Sequence, residues 1–258
     1  MKANKILITI NNKEEISVLK KLGIEGIVFP LKDFCVGIPN TFLISEINEG
    51  YIYINRILDN EGIDNLKSII KDINKNVKGI IFDDLGVLQV IKDLNIEKIL
   101  YLTHFNTNSD SVNIYLDYVD TVILSTDITK SEIENIIKNS KKEVSLFVFG
   151  YISAMYSRRL LLNNYSEFYN IDKVNPLEID NTNHKFLVYE NEYGTVFYPK
   201  EIFNGLELMD LNAKYYFINR VFLSLDDIKN VLNNNFDYLE TSKHFLDTET
   251  IYKLKEEE

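Results

Sequence analysis

Tyr51–Phe82, YIYINRILDNEGIDNLKSIIKDINKNVKGIIF, decides the fold. It opens on an apolar run, Tyr51–Ile54, and closes on a second, Lys78–Phe82. Between them Ile63, Leu66, Ile69, Ile70 and Ile73 fall on one face of a helix. Continuous apolar strands joined through an amphipathic helix imply a parallel sheet covered on both faces. The same rhythm recurs at Lys5–Ile10, Gly26–Phe29, Lys98–Leu102, Thr121–Leu124, Val144–Phe149 and Lys214–Phe222. Ile133, Ile136 and Ile137 follow Thr129, which with Glu132 forms a capping-box pattern; Ser224 and Asp227 repeat it before Leu225, Ile228, Val231 and Leu232. About eight such units predict a single α/β domain over 1–258, a (β/α) TIM-like barrel rather than an open sheet. His184–Pro199, HKFLVYENEYGTVFYP, breaks the rhythm and reads as an inserted β-hairpin around Asn191–Gly194. The polar Ile171–Asn183 before it reads as a loop, and Lys253–Glu258 as a frayed tail.

Composition narrows the function. With 28 basic against 39 acidic side chains and a net charge of -11, the chain lacks the material for a broad basic nucleic-acid face. The single cysteine, Cys35, excludes an intrachain disulfide and any zinc or iron–sulfur site built from this chain's cysteines, so no metal or cofactor is expected. Within FCVGIP it reads as a small buried residue. The amino-terminal MKANKILITINNKEE loses its apolar run too soon for a signal peptide or membrane anchor, and a cytoplasmic, bacterial protein is expected.

In a barrel the chemistry gathers where strands end and helices begin. The residues there are Asn55 and Arg56, Asp83 and Asp84, His104, Ser125 and Thr126, Tyr156–Arg159, and Asn219 and Arg220. Asp83–Asp84, followed by Gly86, could supply a metal ligand or a general base, or the pair could be a helix cap with one acid in solvent. His104, ending the strand KILYLT, is the best histidine for proton transfer, or it is a polar strand end without catalysis. Arg158–Arg159 is the only adjacent arginine pair, set in FVFGYISAMYSRRLLLNNYSEFY (Phe147–Tyr169) with Tyr156 and Ser157 before it. Guanidinium forks match carboxylates, so Arg56, Arg158, Arg159 and Arg220 are candidates for holding a small carboxylate; salt bridges and packing on tyrosines are the plain alternative. Ser157 lacks the glycine spacing of a nucleophile elbow and has no assigned histidine. HExxH, Walker and GxGxxG motifs are absent from the sequence.

Phe147–Tyr169 resembles the motif region of the collagenase-like peptidase family (peptidase family U32), in which a strand ends in His-Gly before a Ser-Gly-Arg-Cys or Ser-Lys-Arg segment and a Ser/Asn-Tyr pair. Here the corresponding residues are Phe149-Gly150, Tyr156-Ser157-Arg158-Arg159 and Asn164-Tyr165. Gly79–Gly86 is similar to the family's Asp-Gly-Ile-Ile-Val-x-Asp-x-Gly strand, Tyr189–Pro199 to its Glu-Asp-Glu-Asn-Gly-Thr hairpin, and Asp120–Ile133 to its Val-Leu-Ser-Arg-Glu-Leu strand with Thr126 and Asp127 at the Arg-Glu positions. The resemblance implies a barrel, and either peptidase activity or support of tRNA, ribosomal RNA or ubiquinone-precursor hydroxylation, often with a cysteine-bound cluster. Ser153 and Leu160 stand where clustered relatives have cysteine, Phe149 replaces the histidine, and Phe217-Ile218-Asn219-Arg220 replaces Lys-Ile-Glu-Gly. The subgroup it looks most like is the short branch resembling the first subunit of a two-gene tRNA-hydroxylation pair.

Three functions follow. The chain is expected to be an accessory protein in tRNA wobble-uridine hydroxylation, with a longer paralogue as partner and tRNA contacted only indirectly. The alternatives are a collagenase-like hydrolase, and a stand-alone barrel binding a small anion. His104 and Asp83 are the catalytic candidates; Arg159, Arg158, Ser157, Tyr156, Asn55 and Arg220 are the binding candidates.

Overall fold

A computed structural model describes residues 3–181 and 184–248; the 253–258 tail lies outside them. The chain runs β1 (Ile6–Thr9), α1 (Glu15–Lys21), β2 (Gly26–Pro30), β3 (Gly50–Ile54), α2 (Asn60–Ile69), β4 (Val77–Phe82), α3 (Leu85–Ile91), β5 (Glu97–Leu100), α4 (Ser109–Tyr115), β6 (Thr121–Val122), α5 (Lys130–Asn139) and β7 (Leu146–Gly150). There follow β8 (Met155–Ser157), α6 (Leu161–Tyr169), β9 (Leu177–Asn181), β10 (His184–Asn191), β11 (Gly194–Pro199), β12 (Ile202–Asn204), β13 (Tyr216–Asn219), α7 (Leu225–Leu232) and β14 (Thr241–Ser242).

Ten strands form one curled sheet in the order β14-β12-β7-β13-β1-β2-β3-β4-β5-β6. From β7 through β6 every neighbouring pair is parallel, and β12 meets β7 antiparallel. Beyond β6, Ile123 makes a parallel bridge to Ser145 just before β7. The Ser145 N–H donates to the Val122 carbonyl at 2.8 Å, and the Leu124 N–H to the Ser145 carbonyl at 2.9 Å. The fold is therefore mixed α/β with a barrel-like, parallel-rich sheet.

The helices begin where the side chains cap them. Asp59 accepts from the Gly62 N–H, Asn108 from the Ser111 N–H, and Thr129–Glu132 and Ser224–Asp227 form reciprocal boxes. Each such cap is worth about 1 kcal/mol. α2 buries Leu66 against the sheet while Asp64, Asn65 and Lys67 face water.

Aromatic rings fill the inside of the curl. Phe217 packs 5.7 Å from Tyr53, 5.9 Å from Tyr101 and 5.7 Å from Phe147, all edge to face. At the N-terminal strand ends the Tyr215 hydroxyl donates to Glu97 at 2.7 Å, Tyr51 joins both, and Lys214 pairs with Glu97 at 2.8 Å. That end is a satisfied polar plug.

Two features depart from the sequence reading. His184–Asn191 and Gly194–Pro199 pair antiparallel as the centre of a four-stranded sheet, β8-β11-β10-β9. β9 lies inside the segment read as a loop, because LEIDN carries too little apolar alternation to announce a strand. Gly150 ends β7 with φ +132°, and a Cβ there would stand 2.1 Å from the Asn219 carbonyl oxygen, so only glycine lets β7 and β13 meet.

Arg220 is fully buried behind β13 and makes a two-pronged pair with Glu15 at 2.7 and 3.2 Å. Burial by itself would raise the Glu15 pKa, but Arg220 and the Asn11 and Asn12 amides more than offset it and hold the carboxyl below its ordinary value. Arg220→Ala should cost about 3–5 kcal/mol in urea unfolding, because it strands a buried carboxylate. A loss under about 1 kcal/mol would mean the pair is solvated.

Candidate functional site

The C-terminal strand ends enclose a cavity of about 270 Å³. Its floor is the aromatic layer, through Tyr53 and Tyr101. Asn55 follows β3, Asp83 follows β4, Thr103 and His104 follow β5, and Asn219 closes β13. The chain leaving Gly150 supplies Tyr151 and Ser153, and the small sheet forms a wall with Tyr156, Val196 and Tyr198. Asp83, His104, Asn55 and Tyr156 thus line one space.

The neighbouring acids divide two tasks. Asp84 caps α3, accepting from the Gly86 N–H at 2.7 Å, and with its second oxygen accepts from the Leu58 N–H at 2.9 Å. Asp83 lines the cavity, and its Oδ1 is buried with no hydrogen-bond partner. Burial, then the charge of Asp84, lifts the Asp83 pKa to about 7. An acid so placed can give or take a proton near neutrality. His104 is half-exposed at the rim, with Nδ1 2.5 Å from Asp127 Oδ2. That hydrogen bond raises its pKa, since the carboxylate favours imidazolium. Asp127 was not among the site residues read from sequence, and its place three residues after Leu124 is the signal that could have found it.

The wall owes its position to Glu190. Its buried carboxylate accepts from the Leu162 and Asn163 N–H groups at 2.7 and 3.1 Å and from the Thr195 hydroxyl at 2.6 Å, and it pairs with Lys173 at 2.7 Å. Burial raises its pKa, and these donors, Lys173 first, bring it below the ordinary value. α6 has Leu160 at its N-cap with no side-chain bond of its own, so Glu190 caps it from the hairpin. Gly194, at φ +140°, lets β11 reach β8, where a Cβ would stand 2.2 Å from the Ser157 carbonyl oxygen.

The arginines lie elsewhere. Arg158 is exposed and bonds Asp59 at 2.9 Å. Arg159 is exposed and does not line the cavity. Arg56 stacks 3.9 Å over Tyr193 and donates to the Asp33 carbonyl at 2.7 Å. Arg220, predicted to bind ligand, is instead committed to Glu15 with no exposed surface. Ser157 accepts from the Arg159 N–H at 3.2 Å, outside the cavity. Asn55 spends both ends of its amide on the Val36 backbone, bracing the loop. Cys35 is buried, its thiol pushed up to about 12 by desolvation, and is inert. Of the positions where the resemblance expects other residues, Ser153 and Asn219 line the cavity, whereas Phe149 packs on Phe236 and Leu160 faces solvent. Among the described residues no group of three or more His, Cys, Asp or Glu is placed to hold a metal ion, and no helix is long and apolar enough to cross a membrane.

An α/β protein with a barrel-like sheet and a cavity lined by Asp83 and His104 at its strand ends is the class this geometry defines. The model of peptidase family U32 matches residues 42–174, just over half of the chain, and the chain belongs to that family. The solved U32 peptidase Mk0906 has a similar fold, with a TM-score of 0.54 at 13% identity over 83% of this chain and 92% of that one. No curated protein matches.

Two outcomes test the site. Between the ordinary aspartate value and about 7, the native chain holds a proton at Asp83 that the unfolded chain releases, so Asp83 costs stability as pH rises across that window. Asp83→Asn should therefore be more stable than wild type at pH 8, by ~1–3 kcal/mol in urea unfolding, with the difference vanishing near pH 4. His104 has the same sign, because its native pKa is raised as well. Its attraction to Asp127 is fully present below about 6.5 and lost as pH rises through its raised native value. In an NMR titration Asp127→Asn should lower the His104 midpoint; an unmoved midpoint would remove the pair.

Proposed function

We propose that this U32-family chain acts as an accessory protein in tRNA wobble-uridine hydroxylation, working beside a longer, cysteine-bearing paralogue. The observation that carries the reading is a cavity at the strand ends that keeps the proton-transfer groups Asp83 and His104 but is lined by no cysteine. Ser157 does not line it, Cys35 is buried with its thiol pushed up to about 12, and Ser153 and Leu160 stand at the cysteine positions of clustered relatives. Cluster chemistry would then come from the partner, and this chain would supply a binding surface. We infer also that the eight core strands close as a TIM-like barrel, with the Ile123–Ser145 bridge as the seam, and that the protein works in the cytoplasm of a bacterium. A small carboxylate attaches in this reading to Arg159 alone, at the surface.

The peptidase reading is favoured by one observation: Asp83, titrating near 7, and His104, bonded to Asp127 behind it, share a cavity with room for a water. In that mechanism Asp83 would take the proton of the attacking water and His104 would return one to the leaving amine.

Deletion of the gene should lower wobble hydroxyuridine in total tRNA several-fold, read by mass spectrometry of nucleosides, and the wild-type chain should restore it. An unchanged level removes the accessory reading. Cleavage of gelatin by the purified chain, lost in both Asp83→Ala and His104→Ala, would put the peptidase reading in its place.

A further inference from the structure

The cavity's own chemistry points to a ligand of particular charge. Five tyrosines line it: Tyr53, Tyr101, Tyr151, Tyr156 and Tyr198. None of its lining residues is lysine or arginine. Its one acid, Asp83, has an oxygen buried without a donor, a condition that costs free energy until a donor arrives. The one basic group, His104, sits at the rim and is neutralised by Asp127. Tyrosine faces carry negative potential and attract cations within about 6 Å, and a desolvated carboxylate does so more strongly. We propose that the cavity binds a small organic cation, a primary ammonium or guanidinium group, with Asp83 as counter-ion and the tyrosine rings as the cage.

Three further features agree. Two of the tyrosines are held by hydroxyl bonds: Tyr198 donates to the Gly37 carbonyl at 2.9 Å and Tyr156 to the Tyr193 carbonyl at 3.2 Å. These two rings are therefore already ordered, and a ligand that meets them pays little to fix them. The volume of about 270 Å³ lies below the usual range of drug-sized sites, about 300–1,000 Å³, so the ligand is a small amine and not a folded peptide. Arrival of a cation would also ionise Asp83. The titratable groups around it are Asp84 beside it, Cys35 from the loop after β2, Tyr53 from β3, Tyr101 and His104 after β5, and Tyr156 from β8. Asp84 opposes that ionisation, and a bound cation would reverse the balance. Binding should thus strengthen as pH rises through 7 and release a proton below it.

This goes beyond the hydroxylation reading and does not rest on it, since an accessory protein and a hydrolase could each carry such a site. The test is calorimetric titration of the full chain with n-butylammonium, 1-butanol and butyrate, which share a carbon chain and differ in the end group. Butylammonium should bind at least tenfold tighter than either counterpart, with a heat at pH 6.5 that varies with the ionisation enthalpy of the buffer. Asp83→Asn should weaken it at least tenfold, and Tyr101→Leu several-fold, with circular dichroism confirming that both variants fold. Lys75→Ala, on the exposed surface and outside the cavity, should leave it unaltered. Butylammonium binding no tighter than butanol, tighter binding of butyrate, no binding of any of the three, or a cation affinity indifferent to Asp83→Asn would each overturn the proposal. The tRNA hydroxyuridine level after gene deletion is read separately, so either idea can fail alone.

Discussion

The buried carboxylate of Glu190 is the contact on which the cavity depends. Taking a carboxylate out of water costs several kcal/mol, and only a full set of donors offsets that. Here two helix amides, a threonine hydroxyl and Lys173 supply them. The amides are those an N-cap would otherwise satisfy at the start of α6, so one side chain closes both accounts. The consequence reaches the wall. β10 and β11 are fixed to α6, Asn191 donates to the Cys35 carbonyl at 3.0 Å, and the Tyr198 hydroxyl donates to the Gly37 carbonyl. The small sheet is thereby tied to the loop after β2, and the rings it presents keep their place over the strand ends.

The two ends of the large sheet contrast in how they treat polar groups. At the N-terminal ends Glu97 receives Tyr51, Tyr215 and Lys214, so burial there is matched by bonds. At the C-terminal ends Asp83 keeps an unpartnered oxygen and a pKa near 7. A fold that satisfies one network and leaves the other open is spending stability where a ligand or a proton would restore it. The aromatic layer of Tyr53, Tyr101, Phe147 and Phe217 lies between the two.

What sequence could tell follows the range of each interaction. The Tyr51–Phe82 unit was legible because its periods are local, and so were the boxes at Thr129 and Ser224, which span three residues. β8 and β9 were not, since MYS and LEIDN become strands only when β10 and β11 offer them edges. Asp83 and Asp84 could be named but not told apart, because a cap and a cavity acid differ only in direction. Arg220 misled for the same reason: its partner, Glu15, lies 205 residues away. Glu190 left a faint local sign, the absence of any capping side chain at Leu160, which asks for a donor's partner from elsewhere.

The distribution of charge then carries the last step. Three of the four arginines are engaged, Arg220 by Glu15, Arg158 by Asp59 and Arg56 by Tyr193 and the Asp33 carbonyl, and the fourth stands outside the cavity. The anion-binding capacity expected of them is thus consumed in holding the fold or left on the surface. A net charge of -11 adds a long-range field that concentrates small cations near the protein and repels anions, more weakly as salt rises. The short-range chemistry of the cavity has the same sign. A carboxylate entering this cavity would meet Asp83 and five tyrosines with no compensating guanidinium, whereas a cation would find both the field and the site in its favour.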